Sequence, residues 1–143
     1  MAELNASAAP KGTVVIPALN EERAIRAVVT DALAHCRRVI VVDDGSSDST
    51  SAAIADLPVE RIRHDRPLGK ATALQDGFRR ALELGADGVL TMDGDGQHAA
   101  ADLPRLLAAA QKYPGSIVIG ACLLAKDAQP GKNRFGNQQA DFW

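Results

Sequence analysis

The expected fold depends most on the stretch VLTMDGDGQH, residues 89–98. Its first half is an apolar run typical of a buried strand, and it ends abruptly in Asp93 and Asp95, with one glycine between them. A strand end holds its side chains rigidly, and glycine lets another molecule approach the backbone. Carboxylates suit Mg²⁺ or Mn²⁺, which are usually bound through one or two carboxylates plus substrate phosphates. The stretch therefore predicts a metal held against a phosphorylated ligand.

Two earlier apolar runs also end in polar residues. TVVIP, residues 13–17, leads into ALNE, residues 18–21, and VIVV, residues 39–42, leads into DDGS, residues 43–46. Helix-like segments alternate with these runs, and strands that are apolar throughout are covered on both faces, which predicts an α/β fold with a mostly parallel sheet. Ligands of such sheets bind outside the carboxyl ends of the strands. The three polar strand ends are therefore expected to form one site.

The other elements follow from local signals. Asn20 is expected to cap a helix whose first turn holds Glu21 and Glu22. A later helix is expected to end at Gly85. Its buried face is expected to consist of Leu74, Gly77, Phe78, Ala81 and Leu82. The remaining expected elements are a short helix to about Leu57, an edge strand over 60–64, a helix over 102–111 with Pro104 in its first turn, and a strand over 116–120.

Length and composition indicate an ordinary globular domain. The chain has 143 residues, of which 46% are apolar and 24% charged. Aromatic residues make up only 3% and the net charge is −2, so a nucleic-acid partner is not expected. No apolar stretch approaches the roughly 18 residues that span a bilayer, and residues 1–11 are expected to be a disordered leader. Cys36 and Cys122 match no metal spacing and are expected to be buried, reduced thiols.

Several phosphate and metal motifs are excluded by single residues. No G-x-G-x-x-G follows the first strand. A phosphate-binding loop ending at residues 69–72 would need glycine where His64 stands, and an EF-hand starting at Asp93 would need glutamate where Pro104 stands. An aspartyl-phosphate phosphatase of the haloacid dehalogenase type remains an alternative, because its first strand ends in D-x-D-G. Against it, Gln97 stands where that motif has Thr or Val, and the motif lies late in this chain.

Taken together, the motifs resemble those of family 2 glycosyltransferases, most closely the dolichol-phosphate mannose synthase branch. The resemblance rests on VVIPALNE (14–21), VVDDGSSDST (41–50), GK (69–70) and MDGDGQH (92–98), which occur in the family's order. It implies a GT-A fold over residues 12–125, a nucleotide-sugar-binding α/β domain that uses Mg²⁺ or Mn²⁺. The implied reaction moves a hexose from a UDP- or GDP-sugar, with inversion, to an acceptor such as a polyprenyl phosphate at the membrane surface.

The resemblance also assigns roles to single residues. Asp95 is implied as catalytic, and the implied metal ligands are Asp93, Asp95 and Gln97. The implied nucleotide-sugar contacts are Pro17, Ala18, Asn20, Glu21, Asp43, Asp44, Lys70 and Asp93. A carboxylate only accepts hydrogen bonds, so Asp44 suits the N–H groups of uracil or guanine; alternatively, Asp43 and Asp44 cap a turn. His98 fits the pattern as well as it fits a structural role, and Arg134 and Asn137 resemble residues that face the diphosphate or acceptor.

Family members continue beyond the length of this chain. Residues 126–143 are therefore expected to begin an acceptor-side segment that is cut short, and a second hypothesis is a domain that binds a nucleotide sugar without transferring it. An open strand edge in such a piece would favour a homo-oligomer. The expected location is the cytoplasm, including the inner face of the membrane.

Overall fold

The computed structural model describes residues 12–118, which form a four-stranded sheet in the order β3-β2-β1-β4. The strands are β1 (Thr13–Ala18), β2 (Arg38–Asp43), β3 (Glu60–Arg63) and β4 (Val89–Thr91). Every pair is parallel, as the apolar runs predicted. Because β1 and β2 pair from Thr13 with Arg38 to Ala18 with Asp43, their carboxyl ends are level at one edge of the sheet.

Helices cover both faces of the sheet. They are α1 (Ile25–His35), α2 (Thr50–Ala53), α3 (Lys70–Glu83) and α4 (Leu103–Lys112), with a 3-10 turn over Ala100–Asp102. Alternate β1 side chains point to opposite layers: Val14 and Ile16 pack in the layer of α1, whereas Val15 packs in the layer of α3. These side chains are fully buried, which explains why the strand is apolar at consecutive positions.

The helix start expected at Asn20 is wrong. Helix α1 begins at Ile25, and its N-cap residue, Ala24, makes no side-chain cap hydrogen bond. Asn20 instead adopts a left-handed backbone conformation, with φ of 55°, and its side chain accepts a hydrogen bond from the backbone N–H of Ser47. Because this hydrogen-bond partner lies 27 residues away in the sequence, the residues next to Asn20 cannot predict that its side chain bonds Ser47 and does not cap a helix.

The buried face expected for α3 is also partly wrong. The buried residues are Ala73, Gly77 and Ala81, whereas Leu82 is 69% exposed and Phe78 is 36% exposed. The helix lies so close to the sheet that a Cβ on Gly77 would come within 2.4 Å of a methyl group of Val15. Only small residues fit where the helix meets the sheet most closely, so Phe78 and Leu82 turn outward, whereas Leu74 is partly buried against the sheet as predicted.

Other local expectations have mixed outcomes. Gly85 stops α3 as predicted, with φ of 74°, and Pro104 lies in the first turn of α4. The strand expected at an edge over 60–64 is β3, which lies at one edge of the described sheet, and Cys36 is buried. The helix expected to reach Leu57 ends at Ala53, and residues 116–118 are not a strand. Residues 119–120 of that expected strand, Cys122, Arg134 and Asn137 lie outside the described residues.

Candidate active site

A cleft of about 270 Å³ lies at the carboxyl edge of the sheet, where β1, β2 and β4 end. Its wall contains Pro17, Ala18 and Glu21 from the end of β1 and the loop after it. Asp44 comes from the end of β2, Lys70 from the start of α3, and Asp93 and Asp95 from the loop after β4. The three polar strand ends therefore converge on one cavity, as the parallel topology requires.

The loops after β1 and β2 are joined by reciprocal hydrogen bonds. The Asn20 N–H donates to Ser46 Oγ (2.9 Å), and the Ser47 N–H donates back to Asn20 Oδ1 (2.9 Å). Next along the chain, the Glu21 N–H donates to Thr50 Oγ1 (2.8 Å). The pattern fixes the backbone of Glu21 at the cleft, and it gives Asn20 a structural function although Asn20 does not line the cleft.

Asp44 is buried, and both acceptor positions on one of its two carboxylate oxygens are occupied by hydrogen bonds. Its Oδ1 atom accepts hydrogen bonds from the Leu68 N–H (2.8 Å) and from His64 Nδ1 (2.7 Å), while Oδ2 accepts one from the Gly69 N–H (2.8 Å). Burial acts to raise the pKa of Asp44, but the hydrogen bonds from His64, Leu68 and Gly69 outweigh it, so this pKa lies below its usual value. Asp44 is therefore an ionised acceptor that also holds the chain just before α3.

Asp43 occupies a different position. Its carboxylate is buried, accepts a hydrogen bond from the Ser46 N–H (2.8 Å) and lies 3.3 Å from a guanidinium nitrogen of Arg63. It does not line the cleft. This geometry is that of the turn cap that the sequence left open as an alternative.

One positive charge, the ammonium group of Lys70, lies next to the acidic loop after β4. Lys70 Nζ lies 2.6 Å from Asp93 Oδ1, and Asp95 Oδ1 accepts a hydrogen bond from the Gln97 N–H (2.9 Å). His98 Nδ1 accepts a hydrogen bond from the Asp93 N–H (3.2 Å), which is the structural role open to it. Gln97 is exposed and does not line the cleft.

The cleft carries excess negative charge. Burial raises the pKa of Glu21, and the charges of Asp95, Asp48 and Asp93 raise it further. Within residues 12–118, no group of three or more His, Cys, Asp or Glu side chains is placed to hold a metal ion. The two carboxylates that line the cleft at the end of β4, Asp93 and Asp95, fit a hard divalent ion that shares its coordination with a phosphate ligand.

Most of the predicted site residues meet in the structure. The cleft brings together Pro17, Ala18, Glu21, Asp44, Lys70, Asp93 and Asp95, and it leaves out Asn20, Asp43 and Gln97. Sequence reasoning missed His64, whose ring joins Asp44 to Asp76. The same rule that singled out the other strand ends would have found it, because His64 is the first residue after β3.

The parallel sheet, its helical layers and the acidic cleft define a GT-A nucleotide-sugar transferase fold. A model of "Glycosyl transferase family 2" matches residues 13–139. The chain therefore belongs to glycosyl transferase family 2. No helix among the described residues is long and apolar enough to cross a membrane.

Two curated relatives illustrate the similarity. A UDP-N-acetylglucosamine–dolichyl-phosphate N-acetylglucosaminyltransferase from Methanococcus voltae is 35% identical over 112 residues, covering 66% of this chain and 45% of that protein. An undecaprenyl-phosphate 4-deoxy-4-formamido-L-arabinose transferase from Pectobacterium carotovorum is 34% identical over 114 residues, covering 71% of this chain and 34% of that protein. The chain thus spans less than half the length of either relative.

A solved structure gives the same fold. Glucosyl-3-phosphoglycerate synthase from Mycobacterium tuberculosis, in complex with Mn²⁺, UDP-glucose and phosphoglyceric acid, superposes with a TM-score of 0.61 at 26% identity. The similarity covers 74% of this chain and 41% of that one. The family and this structure favour a transferase over the phosphatase alternative, and Asp93 follows the fourth strand rather than the first.

Proposed function

We propose that this chain is the donor-binding part of a glycosyltransferase that moves a hexose from a UDP- or GDP-sugar to a polyprenyl phosphate, with inversion, in the manner of the dolichol-phosphate mannose synthase branch. One observation carries the proposal. The cleft is lined both by a buried, ionised acceptor, Asp44, and by an ion pair between Lys70 of α3 and Asp93 of the loop after β4, beside which Asp95 also lines the cleft. A nucleoside diphosphate has N–H donors at one end and a diphosphate at the other, which is the polarity that this cleft complements.

The two ends of the donor would use different residues. The base lies between the end of β1, at Pro17 and Ala18, and Asp44, and it donates an N–H to the carboxylate. The diphosphate lies over the start of α3, where the Lys70 ammonium and the helix N-terminus both favour negative charge. In the free chain, Lys70 Nζ is bound to Asp93, so the ammonium shifts from the carboxylate toward the phosphates when the donor binds.

A divalent ion would be held by Asp93 and Asp95, with Gln97 as the third ligand that the resemblance implies. When bound, it would supply Lewis-acid neutralisation of the departing diphosphate. The Asp95 carboxylate itself orients the acidic loop, because it accepts a hydrogen bond from the Gln97 N–H. Mg²⁺ and Mn²⁺ both suit this donor set.

The acceptor assignment comes from the relatives, whose names refer to dolichyl and undecaprenyl phosphates. A phosphate acceptor is already ionised and needs no strong general base. We infer a peripheral location on the inner face of the membrane, where such an acceptor is available, and no nucleic-acid partner. Self-association of the chain through an open sheet edge is part of the same proposal.

Calorimetric titration of the chain with UDP and GDP, with and without Mn²⁺, tests donor binding. Asp95→Ala is expected to abolish the dependence of binding on Mn²⁺. Asp87→Ala is the matched control, because Asp87 precedes β4 at its opposite end, and it should change nothing. If Asp95→Ala leaves Mn²⁺-dependent binding intact, the metal assignment is wrong.

Transfer of a hexose to a polyprenyl phosphate tests the second half of the proposal. The chain spans less than half of the two relatives described above, which favours a second candidate, a domain that binds the donor without transferring the sugar. Binding with turnover supports the first candidate, and binding without turnover supports the second. A chain that binds neither nucleotide contradicts both.

A further inference from the structure

His64 is placed between two carboxylates and lies almost out of solvent. Its Nδ1 atom is 2.7 Å from Asp44 Oδ1, its Nε2 atom is 3.1 Å from Asp76 Oδ2, and its side chain is 9% exposed. Ionised carboxylates can only accept hydrogen bonds, so both contacts are satisfied when both ring nitrogens carry a proton. The hydrogen bond to Asp44, opposed by burial and assisted by the bond to Asp76, raises the pKa of His64, which agrees with this state.

The contact from His64 limits what Asp44 can still accept. An ionised carboxylate has about four lone-pair positions, two on each oxygen. On Oδ1, His64 and the Leu68 N–H take both; on Oδ2, the Gly69 N–H takes one. One acceptor position on Oδ2 is left for a ligand in the cleft that Asp44 lines.

This count discriminates between bases. Uracil presents a single ring N–H flanked by two carbonyl groups. Guanine presents a ring N–H next to an amino group, and a carboxylate matches that pair only by accepting on both oxygens. If guanine bound at Asp44, one of its two N–H donors would be buried without a hydrogen-bond partner. Buried polar groups left unpaired in this way are how polar sites reject the wrong ligand.

We propose that His64 is a specificity-determining residue of the donor cleft: by donating to Asp44 Oδ1 it leaves one acceptor position, and the site therefore selects a uracil nucleotide over a guanine nucleotide. The inference rests on the proposed function, since it concerns the same cleft. His64 acts through Asp44 rather than on the ligand, so it is a positioning residue.

The segment that Asp44 holds makes this arrangement rigid. The Leu68 and Gly69 N–H groups lie just before Lys70, the first residue of α3. Beneath this segment, a Cβ on Gly45 would come within 2.4 Å of the Arg66 carbonyl carbon. The backbone donors to Asp44 are therefore fixed by packing, and His64 is the one side chain whose removal opens Oδ1.

Competitive titration of the full chain with UDP and GDP in Mn²⁺ gives the first test. UDP is expected to bind about tenfold more tightly than GDP, the scale of one unpaired polar group. Equal binding, or a preference for GDP, overturns the inference and leaves the proposed function standing. Binding of neither nucleotide overturns both.

Variants at His64 test its role. His64→Asn places an amide where Nδ1 lies and is expected to keep the preference for UDP. His64→Gln places its amide where Nε2 lies, so it can bond Asp76 but not Asp44, and it is expected to reduce the UDP-to-GDP ratio several-fold. His64→Ala should reduce this ratio as well and also weaken both affinities, and if it fails to fold, the Asn and Gln pair still decides.

His35→Gln is the control, because His35 is exposed at the end of α1, away from the cleft. It should leave both affinities unchanged. A merely structural His64 would lower the UDP and GDP affinities by the same factor in the Gln variant. That outcome, an unchanged ratio, would refute the assignment of specificity to His64.

Discussion

Gly45→Ala is the substitution whose effect the structure defines most closely, and Gly85→Ala is its matched control. The two glycines have nearly the same backbone conformation, with φ of 73° and 74°. A left-handed conformation costs an alanine about 1–2 kcal/mol, so both variants lose this amount. They differ in their surroundings: a Cβ at Gly85 meets nothing within 4 Å, whereas at Gly45 it comes within 2.4 Å of a backbone carbon of Arg66 and 2.6 Å of Pro67 N.

The extra contact at Gly45 is with backbone, which cannot rotate away as a side chain can. Overpacking of this kind costs roughly 1–3 kcal/mol, which gives a total of about 2–5 kcal/mol for Gly45→Ala against about 1–2 kcal/mol for Gly85→Ala. The displaced segment carries Pro67 of the cleft wall and the N–H groups that bind Asp44. Nucleotide binding should therefore weaken in the Gly45 variant alone.

Urea unfolding followed by far-ultraviolet circular dichroism measures the two losses of stability, and calorimetry with UDP measures binding in urea-free buffer. The comparison between the variants removes the backbone cost that they share. If Gly45→Ala is no more destabilising than Gly85→Ala, or if it binds UDP normally, the position of residues 66–69 does not depend on the close contact with Gly45, and the prediction is wrong.

Three further predictions use the same assays. Asn20→Ala should cost about 1–3 kcal/mol in urea unfolding, because it loses a loop hydrogen bond and a residue suited to φ of 55°, while Asn20→Gly should cost less; equal losses would exclude the backbone contribution. Lys70→Met should strengthen binding of Mn²⁺ alone by freeing Asp93, yet weaken binding of UDP; a parallel change in both would argue against an ammonium shared between the two. The lowered pKa of Asp44 gives stability that is present above about pH 3.8 and is lost as the pH falls through the pKa of Asp44 in the folded chain. The raised pKa of His64 gives stability that is complete below about pH 6.5 and is lost as the pH rises through the pKa of His64 in the folded chain. The free energy of unfolding should therefore be greatest between these limits, and His64→Asn should remove the loss at alkaline pH.

The sequence predicted the elements that depend on local chemistry. Apolar runs such as residues 39–42 formed buried strands, and Gly85 stopped its helix because few other residues adopt that conformation. The parallel sheet then placed Asp44, Asp93 and Asp95 at one edge without any further information. The family motifs pointed to the same residues.

The expectations that failed involve partners distant in sequence. The local pattern predicts a helix cap at Asn20, but the hydrogen-bond partners of Asn20 belong to the loop after β2. The helical spacing predicts that Phe78 and Leu82 are buried, but where α3 approaches Val15 most closely only small residues fit. In each case, a contact with a residue distant in sequence decides the conformation against a preference inferred from neighbouring residues alone.

By itself, the sequence determined the class of fold and the acidic strand ends, because hydrophobic periodicity is a property of short segments, and its motifs indicated the family. Only the tertiary structure decided which of two adjacent aspartates enters the cleft and how many hydrogen bonds it can still accept. Asp43 turns inward to Ser46, whereas Asp44 is enclosed by His64 and the chain before α3. That difference arises from packing between β2, β3 and α3, which no local pattern encodes.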